Sequence, residues 1–151
     1  ITTPEHVNVG TLRRQGYEKA LSEKGISVNK KLIIEIEEKE NIKAQIERVF
    51  DQDIDAVFAV NEIYAATAMR ISKEKGYKVP QEFSVIGFTD GLISEYSSPS
   101  ITTIAQHGLE MGKQAVEVLI ERIEKEAEVY EPKKIVISSN LKLRESTKPS
   151  S

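Results

Sequence analysis

Apolar residues recur along this chain in two alternating patterns, one typical of helices and the other of buried strands. Helical spacing occurs in "RRQGYEKAL", "NIKAQIERVF" and "NEIYAATAMRISKEKG". Short runs rich in β-branched or apolar residues follow these segments, namely "KKLIIEIE", "DAVFAV" and "FSVIGF", and they predict strands. The expected order is therefore helix, strand, helix, strand, helix, strand.

Capping residues predict where the helices begin and end. Thr3 can cap the first helix, with Pro4 at its first position, and Gly25 should end it. Asn61 is placed to cap the helix after "DAVFAV", and Gly76 is placed to end that helix. The first helix is therefore expected to begin at the Thr3-Pro4 pair.

This alternation predicts an α/β fold, a doubly wound parallel sheet with right-handed crossovers. Ligands of such sheets bind beyond the carboxyl ends of the strands. Glu37, Asn61 and the turn "GFTDG" each follow directly on a predicted strand. We therefore expect them at one rim of the sheet.

The pattern changes after Pro99. The segment "SITTIAQ" is extended, and "HGLEMGKQAVEVLIERIEKE" is a helix with one apolar stripe. The stripe consists of Gly112, Ala115, Val116, Leu119, Ile120 and Ile123. The final "KKIVISSNLKLRES" alternates as one bent strand or two short ones, and the tail should be frayed.

Composition narrows the class of protein. The chain has 151 residues, 39% hydrophobic and 30% charged, which fits one soluble globular domain or a piece of a larger one. It has no Cys, and its N-terminus has no secretory pattern, so we expect a cytoplasmic protein. The net charge of −3, with Lys and Glu interspersed, gives no footprint for a nucleic-acid backbone. The missing initiator Met suggests that an upstream part has been removed.

Catalytic and metal chemistry find little support in the sequence. His6 and His107 are far apart and lack carboxylate neighbours at ligand spacing. The central strand ends in Asn61, an amide, where a phosphoryl-accepting receiver needs a carboxylate. No Gly-rich phosphate loop or serine elbow is present. We therefore expect no enzyme activity, no cofactor and no metal.

A rim of polar groups remains as the candidate site. Arg13 on the first helix, Asn61, and Thr89 with Asp90 suit a polyhydroxylated ligand, because such groups hydrogen-bond vicinal hydroxyls. A purely structural alternative stays open. In that alternative Asn61 only caps its helix, Asp90 only makes a turn, and Arg13 is solvated.

Five motifs occur together and in order: "DAVFAVNE" with its alanine-rich helix, "GYKVPQEFSVIGFTD", "SPSITTIAQ", "MGKQAVEVLIERI" and "LKLRES". In this order the sequence resembles the LacI/GalR family of ligand-responsive transcription repressors, from about Arg13 to Ser146. The resemblance implies a periplasmic-binding-protein-like sensor of two α/β lobes joined by three crossing strands. It also implies an N-terminal helix-turn-helix that binds operator DNA and that this chain lacks.

The resemblance divides the chain into four parts. Residues 1–100 correspond to the C-terminal lobe, and residues 101–138 to a segment that crosses to and from the missing N-terminal lobe. Residues 139–146 correspond to a returning strand, and residues 147–151 to a frayed tail. The extended "SITTIAQ" is then the hinge crossing, which explains why the chain extends again after a polar turn.

The resemblance also implies site residues. Arg13 matches the ligand-binding arginine of the family, Asn61 matches its cleft asparagine, and Gln106 lies at the hinge. Where the family usually has Asp directly after "GF", this chain has Thr89, with Asp90 one position later. The ligand therefore need not be a typical sugar.

The predicted function is effector sensing in a LacI/GalR-type regulator, with a sugar or related molecule as effector. The alternative is the sugar-binding component of a transport system with the same fold. An upstream helix-turn-helix of about 50–60 residues would favour regulation, and a signal peptide would favour transport. In the family the apolar stripe on the helix after His107 packs onto the first lobe, which this chain lacks. We therefore expect the stripe to be buried in a homodimer.

Overall fold

The computed structural model describes residues 1–37, 41–124 and 131–149. From β1 onward, helices and strands alternate along this part of the chain as predicted. Their bounds are α1 Asn8–Glu23, α2 Ile42–Glu47, β1 Ala56–Ala59, α3 Glu62–Glu74, β2 Ser84–Phe88, α4 Leu92–Tyr96, β3 Thr102–Ala105, α5 Gly108–Glu124 and β4 Asn140–Lys142. Two short 3₁₀ turns lie at Lys30–Leu32 and Arg48–Asp51.

The strands form one mostly parallel sheet in the order β1-β2-β3-β4. β1, β2 and β3 are parallel, so their carboxyl ends meet at one edge. β4 pairs antiparallel with β3, and Ala105 lies opposite Asn140. The predicted α/β class with a largely parallel sheet is therefore confirmed.

One face of this sheet is buried under α2 and α3. The core there includes Ile46, Ile71, Phe83, Val85 and Ile101, none of which has measurable exposure. Along β2 buried residues alternate with half-buried ones, so Val85 and Gly87 face the core while Ile86 and Phe88 face α1 and solvent. The sheet therefore has one fully packed face and one partly open face.

The predicted strand "KKLIIEIE" is wrong for most of its length. Its first residues form a 3₁₀ turn, and a single parallel bridge joins Glu35 to Thr2. Ile1 and Thr2 lie between this segment and β1: Ile1 N donates to Phe58 O over 2.8 Å, and Thr2 N donates to Ile34 O over 2.8 Å. Among the described residues, only Ile1 and Thr2 lie beside the β-branched segment. A neighbour of two residues is too short to form a longer strand pairing with it.

The predicted start of the first helix is also wrong. Residues Pro4 to Val7 form a turn, and α1 begins only at Asn8. The Thr3 hydroxyl packs so closely against Gly10 that a Cβ at Gly10 would lie 1.8 Å from it. The Thr3 hydroxyl therefore packs against Gly10 inside α1 and does not cap the start of this helix.

The other helix boundaries follow the predictions. Asn61 Oδ1 accepts a hydrogen bond from Tyr64 N over 2.8 Å and so caps α3. Gly25 and Gly76 follow the ends of α1 and α3 with φ of +69° and +88°, in the left-handed region that glycine enters without strain. The five-residue helix α4, which lies between the "GFTDG" turn and β3, was not predicted.

The last described residues tie the end of the chain to the sheet. Ser146 Oγ donates to Val85 O over 2.5 Å and accepts from Thr102 N over 2.8 Å. Ser146 N donates to Ser100 O over 2.9 Å. Ser146 is therefore buried between β2 and the start of β3.

The helix predicted after His107 is confirmed as α5, and its predicted end near Lys125 lies outside the described residues. It has no buried residue, and its apolar side chains face solvent, with Leu109 92% and Ile123 74% exposed. Within the described part of the chain no helix is long and apolar enough to cross a membrane.

Candidate functional site

Polar residues follow β1, β2 and β3 at the edge where their carboxyl ends meet. Asn61 comes shortly after β1, Thr89 and Asp90 come directly after β2, and Gln106 comes directly after β3. Parallel β1-β2 and β2-β3 pairing fixes these three exits side by side. This edge, together with Arg13 on α1, is called the polar edge below.

Arg13 joins the ends of β1 and β2. Its Nη1 donates to Val60 O over 2.6 Å, directly before Asn61. Its guanidinium carbon lies 3.8 Å from the centroid of the Phe88 ring, directly before Thr89. Arg13 is half-buried, and this burial lowers the pKa of its guanidinium. It is therefore a fixed cation at the polar edge and not a solvated side chain.

Asn61 lies beside Arg13 with a divided role. Its Oδ1 is used as the cap of α3 through Tyr64 N. Within the described part of the chain its Nδ2 group donates to no acceptor, so both of its N–H donors stay available. The structure thus combines the capping role with a free donor at the polar edge.

Thr89 has an unusual backbone conformation. Its φ is +84°, which a β-branched residue rarely adopts, and its N–H donates to Ile104 O over 3.1 Å. Gln106 Nε2 donates to Thr89 Oγ1 over 3.4 Å. Strain of this kind occurs where surrounding contacts impose it, often at ligand sites. Thr89 and Gln106 are therefore brought together across β2 and β3.

The Asp90 side chain is directed to β3 and β4. Its carboxylate accepts from Thr103 Oγ1 over 3.1 Å and from Lys142 Nζ over 3.0 Å, and it pairs with Arg144. Partial burial acts to raise the pKa of the Asp90 carboxyl, but the hydrogen bonds from these three residues lower it below its ordinary value. Asp90 follows Thr89 directly in the sequence. Its negative charge is already paired with Lys142 and Arg144.

Sequence reasoning missed two contributors. Phe88 supports the Arg13 guanidinium, and its signal was its position as the last residue of a buried apolar run. Arg144 binds Asp90 and also donates to Ile101 O over 2.8 Å. No local pattern marks Arg144, because its partners lie more than 40 residues earlier in the chain.

An open apolar groove adjoins Arg13 on the partly covered face of the sheet. Its volume is about 610 Å³, and its lining includes Val9, Leu12, Tyr17, Phe58, Phe88 and Ile104. Among the residues that the structure describes, no three His, Asp or Glu side chains cluster as metal ligands would. The polar edge thus offers hydrogen-bonding groups beside an apolar surface, which is the composition of a small-molecule site.

A sequence profile of the family described as the periplasmic binding protein-like domain matches residues 1–147. The chain belongs to this family. It corresponds to the C-terminal part of the effector-binding domain of LacI/GalR-type regulators. The resemblance noted in the sequence is thereby confirmed.

Characterised members of the periplasmic binding protein-like family support this assignment. The transcriptional regulator CelR of Thermobifida fusca is 30% identical over 149 residues, which cover 97% of this chain and 43% of CelR. The ribose operon repressor of Haemophilus influenzae is 34% identical over 142 residues, covering 92% of this chain and 42% of the repressor. This chain therefore spans less than half the length of either relative. Both relatives are regulators.

A solved structure gives the same result in three dimensions. The complex of the regulator CelR with cellobiose superposes with a TM-score of 0.87 at 30% identity. The match covers 97% of this chain and 45% of the CelR chain. The fold of this family member is thus shared with about half of a sugar-bound regulator.

Proposed function

We propose that this chain is the effector-sensing part of a LacI/GalR-type transcriptional regulator. The observation that carries the proposal is the Arg13 guanidinium across the ends of β1 and β2, beside Asn61 and Thr89. The effector is a small molecule, a sugar or a sugar derivative. The related CelR was solved with cellobiose, which supports this class of ligand.

Each residue of the polar edge has a role in this proposal. Arg13, Asn61, Thr89 and Gln106 hydrogen-bond the effector. Asp90 holds the loop that carries Thr89, because its carboxylate is tied to Lys142 and Arg144 on the far side. Effector bound here would also be covered by a second lobe, since closed clefts bury most of a small ligand.

The proposed parts of the chain follow from this cleft. Residues 1–100 form the lobe, residues 101–138 cross to and from the other lobe, and residues 139–146 return. The antiparallel pairing of β3 with β4 supports the return, because it places the outgoing and returning segments side by side. Residues 147–151 form the tail. We place the regulator in the cytoplasm, where a separate N-terminal domain binds operator DNA.

Effector binding should require more than this chain. We expect calorimetry with a panel of mono- and disaccharides, cellobiose included, to find an effector for the full product of the gene that encodes this chain. The isolated chain should bind the same sugar at least about 100-fold more weakly, because half a cleft leaves the ligand in water. Equal affinity of the isolated chain would contradict the two-lobed site.

A pair of neighbouring arginines provides the control for that measurement. Arg13→Ala should weaken binding, whereas Arg14→Ala should not. Arg14 lies beside it in sequence but pairs with Glu5, Glu18 and Glu35, away from the polar edge. Equal losses in both variants would argue that Arg13 acts only through stability.

We also propose that the protein is a homodimer, and sedimentation at micromolar concentration tests this. The apolar side chains of α5 include Val116, Leu119, Ile120 and Ile123, all about half exposed or more. Burial of each stabilises a complex by roughly 1.5–3 kcal/mol. The isolated chain should sediment as a dimer, and Leu119→Lys with Ile123→Lys should make it monomeric. A monomeric unsubstituted chain would refute the dimer.

A further inference from the structure

Arg13 is a half-buried cation without an anion. Its two contacts, the carbonyl of Val60 and the ring of Phe88, are both uncharged. Among the described residues no carboxylate pairs with Arg13, whereas the adjacent Arg14 pairs with three. Charges removed from water are normally paired, because desolvation is costly. Within the described residues, Arg13 therefore remains available to pair with an anionic ligand.

The acceptors near Arg13 are already occupied. Asn61 Oδ1 accepts from Tyr64 N over 2.8 Å, and Glu62 Oε1 accepts from Ser94 N over 2.7 Å. The Asp90 carboxylate is bound by Thr103, Lys142 and Arg144. The Asp90 charge is therefore paired with Lys142 and Arg144, and within the described structure Glu62 forms no ion pair with Arg13.

Most of the groups that remain at the polar edge are donors, and Gln106 Oε1 is an acceptor. Arg13 uses only Nη1 in a hydrogen bond, so Nε and Nη2 keep theirs. Asn61 keeps its Nδ2 group. Thr89 Oγ1 accepts from Gln106 Nε2, which leaves the Thr89 hydroxyl proton free to donate. A ligand that pairs with these donors supplies acceptors, and a negative charge on that ligand would balance the Arg13 charge.

We propose that the effector carries an oxyanion group, a carboxylate or a phosphate, which binds Arg13 with Asn61 and Thr89. This inference rests on the proposed function and specifies the ligand of the same site. Arginine and oxyanions form charge-assisted, often bidentate hydrogen bonds, stronger than those to a neutral hydroxyl. An acidic sugar or a sugar phosphate satisfies the charge and the donors together.

The direct test uses inorganic phosphate as probe on the full gene product. Its melting temperature is measured in sodium phosphate and in sodium chloride at equal ionic strength, for the unsubstituted protein and for Arg13→Gln. The phosphate increment should be about 2–4 °C larger with Arg13 present. Arg14→Gln is the matched control and should keep the full increment. General salting effects of phosphate cancel in these differences. Equal increments with and without Arg13 would overturn the proposal.

A matched set of sugars separates the two sources of the anion and tests the proposed function independently. Glucuronate or glucose 6-phosphate should bind at least roughly tenfold tighter than glucose, since charge-assisted hydrogen bonds are about twice as strong as neutral ones. Thr89→Asp, which adds a carboxylate beside Arg13 and tolerates a positive φ better, should remove this preference. Arg13-dependent binding of glucose without any phosphate effect would reject the oxyanion and keep effector sensing. If neither sugar binding nor the phosphate increment depends on Arg13, both the oxyanion proposal and the proposed effector site are rejected.

Discussion

Lowering the pH from 8 to 6 should cost the fold about 2 kcal/mol when the polypeptide begins at Ile1. The Ile1 ammonium group lies inside the sheet and donates to Phe58 O over 2.8 Å. Burial there lowers its pKa from 8.0 to about 6. Between these values the unfolded chain binds more protons than the folded chain, so stability falls as the pH falls. This contribution of the Ile1 amine to stability is present above the unfolded pKa of 8.0 and is lost below the folded pKa of about 6.

Urea denaturation between pH 5.5 and about 8.5 measures this slope, on a chain released from a fusion so that Ile1 is the first residue. The control is the same chain acetylated at Ile1, which cannot gain the proton. A cavity of about 360 Å³ that is lined by Ile1, Leu32, Ile34 and Phe58 adjoins the acetylated residue. The acetylated chain should show no slope in this range. A slope of the same size in both chains would assign the effect to other groups.

Carboxyl groups do not confuse the measurement. The pKa of Asp90 is lowered below 3.8, and those of Glu74 and Glu145 are lowered below 4.5. Their protonation therefore destabilises the fold only at more acidic pH, below the window of the Ile1 amine. The two effects have the same sign but separate in pH.

Much of the fold could be predicted from the sequence because its signals are local. Val57 and Val85 lie in short apolar runs flanked by polar residues, which favour buried parallel strands in any context. The Asn61 side chain can cap the start of a helix, and Gly76 can adopt the positive φ that ends one. These features need no knowledge of distant residues.

The errors occurred where a distant neighbour decides the local structure. The segment around Ile34 has the composition of a strand, but a strand forms only beside another strand, and its neighbour is Ile1–Thr2. Thr3 has the chemistry of a cap, but its hydroxyl is held against Gly10. β propensity and capping are both conditional on packing that a single sequence does not contain.

The polar edge was predicted in position but not in chemistry. The rule that ligands bind beyond strand ends selected Asn61, Thr89 and Asp90 correctly as neighbours of this edge. It could not reveal that the Asp90 charge is paired with Arg144, 54 positions away. That ion pair occupies the Asp90 carboxylate at the polar edge, and it depends on tertiary structure.

The centre of the core has a large aromatic contribution. Phe83 precedes β2 and is fully buried. Its ring stacks on Phe50 at a centroid distance of 5.2 Å and packs against Tyr77 at 5.3 Å. Such pairs stabilise by about 0.5–1.5 kcal/mol beyond the burial of their area. Phe83 therefore joins the 3₁₀ turn after α2 and the loop after α3 to the sheet.

Phe83→Ala should lower the free energy of unfolding by about 3–5 kcal/mol, because it removes a buried ring and leaves a cavity that close-packed neighbours cannot fill. Phe88→Ala is the matched control on the same strand segment. The Phe88 ring is only half-buried, so its loss should cost less than about 2 kcal/mol and should act on Arg13 instead. Urea denaturation followed by circular dichroism measures both variants, with the dependence on urea expected to stay unchanged. Equal losses for the two phenylalanines would mean that the core does not centre on Phe83.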